Sequence, residues 1–218
     1  VDSNMSTTAT IVADTLNGYH IVEVSDNRGG YVAYGNNIDV EVVYNIDNVD
    51  QDIEVCAVFA LNEFHITATA GANGTIDPEG TDTIYYGETL TYTITADQPC
   101  YYISAVDVDG ESVWTGYTDS ISPCTYTFTA ADFDQAVVEH TINAEFTMFE
   151  YNMTSTAYED TMGTVTSAVV NCGDDYTYVI NANYGWHIDH VVLDGTTTNY
   201  DGQPTEDSIT VTDIHEHH

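Results

Sequence analysis

Lysine is absent from this chain of 218 residues, and arginine occurs once, at Arg28. Against that single base stand 36 acidic residues, a formal net charge of −35. Such a surface repels phosphate, which excludes nucleic acid and anionic lipid headgroups as partners. Long apolar runs are also missing. None approaches the roughly 20 residues that cross a bilayer as a helix, so membrane insertion is not expected. The first residues show no basic segment followed by an apolar one, so any secretion signal is expected to have been removed or to lie outside the sequence. Leucine occurs only four times, and long i, i+3, i+4, i+7 apolar stripes are lacking, so amphipathic helices are not expected.

Catalytic signatures are missing too. There is no Gly-x-Ser-x-Gly, no His-Glu-x-x-His, no phosphate loop and no cysteine with a basic neighbour. Carboxylates are abundant, but in so acidic a chain they are read as solvated. The expectation is a non-enzyme with no catalytic residue and no cofactor. The acidity leaves solubility at high salt, divalent cations and resistance to lysine-directed proteolysis as its uses.

What is present argues for strands. Hydrophobic residues make up 43% of the chain, enough for a core, and tyrosine occurs 17 times. Tyrosine and threonine suit sheets that are wet on one face. The fold class expected is all-β.

The chain repeats itself. Thr8-Ala9-Thr10-Ile11-Val12-Ala13-Asp14, Thr91-Tyr92-Thr93-Ile94-Thr95-Ala96-Asp97 and Thr177-Tyr178-Val179-Ile180-Asn181-Ala182-Asn183 align on their isoleucines. A second landmark follows each: Gly18-Tyr19-His20-Ile21, Cys100-Tyr101-Tyr102-Ile103 and Gly185-Trp186-His187-Ile188. Three residues beyond each of these isoleucines stands Val24, Val106 or Val191. That spacing breaks the two-residue alternation of a strand and predicts a β-bulge that turns both residues to the core. Asp109-Gly110 and Asp194-Gly195 predict tight hairpin turns. Val55, Ala57 and Phe59, like Ile142, Ala144 and Phe146, are expected to face inward on closing strands.

Three modules result: 1–62, 63–148 and 149–218. Only the middle one carries every landmark. The first lacks a counterpart of the opening hairpin at residues 64–83. In the third, His218 aligns with His140, so no counterpart of Thr141–Phe146 is seen. The expected architecture is a tandem of small β-sandwich or β-grasp-like modules, one complete and two incomplete, with short joints that favour a stiff array.

The ordered motifs Ile66-Thr67-Ala68, Gly74-Thr75-Ile76-x-Pro78, Tyr86-Gly87-Glu88, Ile94-Thr95-Ala96-Asp97, Tyr102-Ile103, Val108-Asp109-Gly110, Tyr126-Thr127-Phe128 and Ile142-x-x-x-Phe146 carry a resemblance. The chain resembles the divergent B-repeat modules of internalin-type bacterial surface proteins. The resemblance implies extracellular β-domains used in tandem as spacers or adhesive parts. The cysteines, the missing lysines and the incomplete modules depart from it.

An uncompleted module exposes a sheet edge and an apolar slot. Burying the equivalents of Ile142 and Phe146 is worth ~3–6 kcal/mol, a large share of the roughly 5–15 kcal/mol that holds a domain folded. Exposed edges invite a strand from another chain. The expectation is therefore a secreted or cell-surface filament subunit that joins copies of itself head to tail. Thr8, Thr10 and Val12 would lie on the donated strand, and Ile209, Val211 and Ile214 at the accepting end. The alternative is a glycan- or protein-binding or spacer module of an adhesin, with Tyr101, Tyr102, Trp114, Tyr117 and Trp186 as a stacking face. A segment of a longer array is the plainer explanation of the missing pieces.

Four cysteines fit an oxidising compartment. Cys100 and Cys124 are expected to pair, and Cys56, on the wet side of its strand, and Cys172 are left free or linking subunits. His215-Glu216-His217-His218 is read as a polar turn rather than a metal site, and Asp107-x-Asp109-Gly110 as a turn rather than a calcium loop. Asn4, Asn73 and Asn152 head glycan acceptor triplets, with Asn73 on a predicted turn.

Overall fold

The computed structural model describes residues 5–114 and 122–218. It is nearly all β. Among the described residues the helical segments are two short 3-10 turns, Thr15–Asn17 and Ala130–Asp132. Among the described residues, no helix is long and apolar enough to cross a membrane.

The first repeat supplies β1 (Thr7–Val12), β2 (Tyr19–Asp26), β3 (Tyr31–Ala33), β4 (Glu41–Ile46) and β5 (Val55–Leu61). β1 pairs with β4, setting Ile11 opposite Val42. β2 is the centre of the sheet β3-β2-β5. The bulge predicted from the isoleucine–valine spacing is there: the β2–β5 register slips between Ile21 and Glu23. Ile21 and Val24 are consequently both buried, and they form a core with Ala13, Tyr44 and Ile46. Phe59 departs from the expected pattern. The alternation of β5 breaks at Val58 and Phe59, opposite the bulge, and Phe59 stays 41% exposed.

The second repeat supplies β6 (Glu63–Ala70), β7 (Gly74–Asp77), β8 (Gly80–Tyr85), β9 (Thr89–Ala96), β10 (Tyr101–Val108), β11 (Glu111–Trp114), β12 (Cys124–Thr129) and β13 (Glu139–Met148). Its larger sheet runs β11-β10-β13-β6-β8, and its smaller one β12-β9-β7. The closing strand β13 is thus the centre of its sheet. It lies parallel to β6, with His140 opposite Ile66 and Ile142 opposite Ala68. The expected alternation holds along it: His140, Ile142 and Ala144 are buried, and Phe146 is half-buried. Asp109 and Gly110 both have positive φ, 52° and 81°, which two-residue hairpins with the twist of the strands require. Asp109 also accepts a hydrogen bond from the Thr141 amide (2.7 Å) and meets Nδ1 of His140 at 2.8 Å.

The third repeat supplies β14 (Glu150–Met153), β15 (Gly163–Val165), β16 (Ala168–Asn171), β17 (Tyr176–Ala182), β18 (His190–Leu193), β19 (Thr196–Asn199) and β20 (Glu206–Val211). These are the counterparts of β6 to β12 in order. The small sheet is intact as β15-β17-β20. The large one is not: among the strands of the described residues, β14 pairs with β16 and β18 with β19, and the two pairs are not joined into one sheet. Asp194 and Gly195 again have positive φ, at the β18–β19 turn.

The described residues fall into two compact units that do not follow the repeats. The first holds the described parts of 1–95, 104–117 and 123–145, and the second those of 96–103 and 146–218 together with Ser122. Within the first unit, polar contacts stitch repeat one to repeat two. Buried His20 Nδ1 meets Asn62 Oδ1 at 2.9 Å, and Asn62 donates to Gln135 Oε1 at 2.7 Å.

Candidate functional site

The second unit contains a cavity of about 670 Å³. It is lined by the chain that follows β14 (Thr154–Tyr158), by β18, and by Val165, Tyr178, Ile180 and Ile209 of the small sheet. The repeat explains its place. Met153 is the counterpart of Ile66, so Ser155 and Ala157 correspond to Ala68 and Ala70, and those two residues face Ile142 and Ala144 on β13. In the second repeat β13 separates β6 from β10. In the third, the counterparts of β6 and β10 border the cavity. By the register of the repeats, the cavity has the position that β13 occupies in the second repeat.

The path into it is already marked. The His218 amide donates to the Asn152 carbonyl at 3.3 Å, and the Thr154 amide donates to the His218 carbonyl at 2.7 Å. That is a parallel bridge between His218 and Met153, matching the bridge between His140 and Ile66. Nδ1 of His218 meets the Asp194 carboxylate at 2.6 Å, as His140 meets Asp109. His218 therefore stands in the register of His140.

A buried polar group faces the same cavity. Tyr92, in the second repeat, donates its hydroxyl to Asp82 at 3.2 Å. Its counterpart Tyr178 is 4% exposed, and its hydroxyl has no hydrogen-bond partner among the described residues. Burial, with help from Asp194, raises the Tyr178 pKa. Leaving such a hydroxyl unpaired costs about 1–3 kcal/mol.

The structure places the three residues named from sequence as an accepting end in two settings. Ile209 lines the cavity, while Val211 and buried Ile214 pack against Met153 and Tyr178. The donating residues need correction. Thr8, Thr10 and Val12 lie on the exposed face of β1, whose ladder with β4 occupies residues 7–12 in full. β1 is also the counterpart of β17, which the third repeat already has, so it is not the strand that the cavity fits.

The disulfide also needs correction. Cys100 pairs with Cys172, not Cys124. Cys124 stands opposite Ile94 on β12 with its side chain in the core, 8% exposed, and carries a free thiol whose pKa burial raises. Cys100 lies in the β9–β10 connection, where its carbonyl accepts from the Phe149 amide at 2.9 Å, and Phe149 in turn accepts from the Cys172 amide at 2.9 Å. Those two bonds bring the cysteine Cα atoms to 5.3 Å. Cys56 is exposed, as its strand position predicted, and carries a free thiol.

Sequence reasoning missed a neighbour of this bond. Nδ1 of His215 lies 3.0 Å from Cys172 Sγ and 3.7 Å from Cys100 Sγ, and its Nε2 meets Asp213 at 3.0 Å. The signal was the histidine-rich segment itself; its partner was not, because Cys100 is 115 residues away. His217 does not join the group: its Nδ1 accepts from the Asn152 amide at 2.9 Å.

Of the acceptor triplets, Asn73 is exposed at a turn with φ 72°. Asn152 sits within β14 and Asn4 lies outside the described residues. The five aromatic residues form no common face among the described residues. The Tyr102 ring lies against that of Phe149 in a tilted arrangement, centroids 4.9 Å apart, Trp186 is 46% exposed, and Tyr117 and the Trp114 side chain lie outside the described residues. Comparison with protein-family models, curated proteins and solved structures finds no match to this chain.

Proposed function

We propose that the protein is a structural subunit of an extracellular filament or surface fibre, assembled from copies of itself by β-strand complementation. The third repeat is the acceptor. The observation that carries the reading is the cavity between β14 and β18, in the register that β13 fills in the second repeat. The incoming strand has the pattern of β13: apolar at alternate positions, with the first inward residue beside Ser155. It runs parallel to β14, gives both β14 and β18 their second ladder, and brings backbone polar groups to the Tyr178 hydroxyl. Strand addition repeated in one direction gives an open polymer. The disulfide of the second unit supports an oxidising, extracellular setting. The acidic surface keeps subunits apart until a specific strand engages.

The test is light scattering after size exclusion over a range of concentrations, with and without the peptide Thr-Ile-Asn-Ala-Glu-Phe copied from Thr141–Phe146. Polymers that the peptide suppresses support the reading. Polymers indifferent to it, or none, contradict it. A second reading, a glycan- or protein-binding module of an adhesin, draws on the exposed rings of Tyr158, Tyr184 and Trp186 in the second unit. Binding by a monomer that Trp186→Ala abolishes would favour it.

A further inference from the structure

The geometry around His215 points to a metal site. We propose that Cys100, Cys172 and His215 form a redox-gated site for a thiophilic d10 cation, zinc(II) foremost, of which the disulfide is the oxidised state. This rests on different residues from the strand cavity and stands apart from the filament reading.

Three ligand atoms, the two Sγ and Nδ1 of His215, lie within 4.8 Å of one another. Around a tetrahedral zinc, with Zn–S about 2.3 Å and Zn–N about 2.0–2.1 Å, sulfur and nitrogen stand about 3.6 Å apart. The observed separations of 3.0 and 3.7 Å bracket that value.

The histidine is held in place by its backbone. The Gly173 amide donates to the Ile214 carbonyl (2.8 Å), the Ile214 amide to the Asp174 carbonyl (3.1 Å), and the Asp213 amide to the Asp175 carboxylate (2.9 Å). Asp213 then orients the ring. A neutral imidazole that gives its Nε2 proton to that carboxylate turns the Nδ1 lone pair toward the sulfurs. A carboxylate behind the imidazole is the usual support of a metal-bound histidine. A disulfide sulfur has no proton to offer that lone pair, so the arrangement gains most when both sulfurs are thiolates sharing a cation.

The chemistry balances with one external dithiol. Its two thiols reduce the Cys100–Cys172 bond, it leaves as its own disulfide, and the protein gains two thiols. Zinc then takes both as thiolates with Nδ1 of His215, releasing two protons. Three protein ligands leave the fourth position to water or an incoming group.

The test uses the full chain carrying Cys56→Ser, which removes the exposed free thiol. It is reduced with a phosphine, which does not chelate zinc as a dithiol does, and titrated with cobalt(II). The expected result is thiolate-to-cobalt charge-transfer absorption that saturates at one equivalent, is abolished by zinc, and is absent from the oxidised protein. His215→Ala should weaken binding at least tenfold, and Asp213→Asn about tenfold. Circular dichroism checks the fold of each variant. The proposal is overturned if the reduced chain, folded or not, takes up no cobalt, or if His215→Ala binds as tightly as its parent.

Discussion

Extending the chain beyond His218 by Thr-Ile-Asn-Ala-Glu-Phe should complete the third repeat within one molecule. The control is the same extension with serine at two of the three inward positions, those of the isoleucine and the phenylalanine, leaving the alanine unchanged. Both tails lose the same backbone freedom on ordering, so the difference between them reports side-chain burial. Ile142 is fully buried on β13, which sets the isoleucine contribution at ~1.5–3 kcal/mol. Phe146 is only half-buried, so it adds about half of a full side chain, ~1–1.5 kcal/mol. The apolar tail should therefore exceed the serine tail by ~2.5–4.5 kcal/mol. With m of about 1–3 kcal/mol/M in urea, this raises the midpoint of the second unit by about 1–4 M, read by the fluorescence of Trp186 with Trp114 replaced by phenylalanine. The apolar tail should also abolish polymer formation, because the cavity is filled from within. Equal midpoints for the two tails would refute the assignment of the cavity as a strand site.

Three further outcomes follow from the same structure. Ile142→Ala should destabilise the first unit by ~2–5 kcal/mol in denaturant unfolding, because the fully buried side chain leaves a void at the centre of the five-stranded sheet. Peptide mapping without reduction should recover a Cys100–Cys172 link, with native Cys56 alkylated and Cys124 protected, and Cys172→Ser should cost about 4 kcal/mol, given a loop of 72 residues. The Asp26 carboxylate is held below its ordinary pKa by the amides of Gly30 and Arg28, with help from the Tyr44 hydroxyl and the Arg28 guanidinium, and Asp39 is held down by the amide of Asn36. A lowered folded pKa means stability present above the unfolded value, about 3.9, and lost as pH falls through the folded one. The stability gap between wild type and Asp26→Asn should thus be constant above about pH 5 and shrink below pH 4 in urea titrations.

Much of the fold was legible because it rests on local rules. The isoleucine–valine spacing of three has few strand solutions other than a bulge, and Ile21 with Val24 and Ile103 with Val106 are buried in pairs. Asp109-Gly110 and Asp194-Gly195 turn as their φ tolerance predicts. In the third repeat the landmark is only partly realised: Ile188 is buried, but β18 begins at His190. β18 there lacks the neighbour that β13 gives to β10. What could not be read is long-range. Cys100 is expected from sequence to pair with Cys124, the other cysteine of its repeat, but the backbone bonds through Phe149 bring Cys172 to it instead. His215 meets the disulfide only because the turns at Gly173 and Asp213 bond to one another. β1 has the composition of a donated strand, but it is paired along its length with β4, and its counterpart β17 is already present in the accepting repeat.

Electron microscopy of the purified 218-residue chain, concentrated under oxidising conditions, tests the central claim most directly. The account predicts ordered polymers whose reconstruction shows one additional strand, parallel to β14, between β14 and β18 of every third repeat. A monodisperse monomer at every concentration, or a polymer in which that position holds no strand, would contradict it.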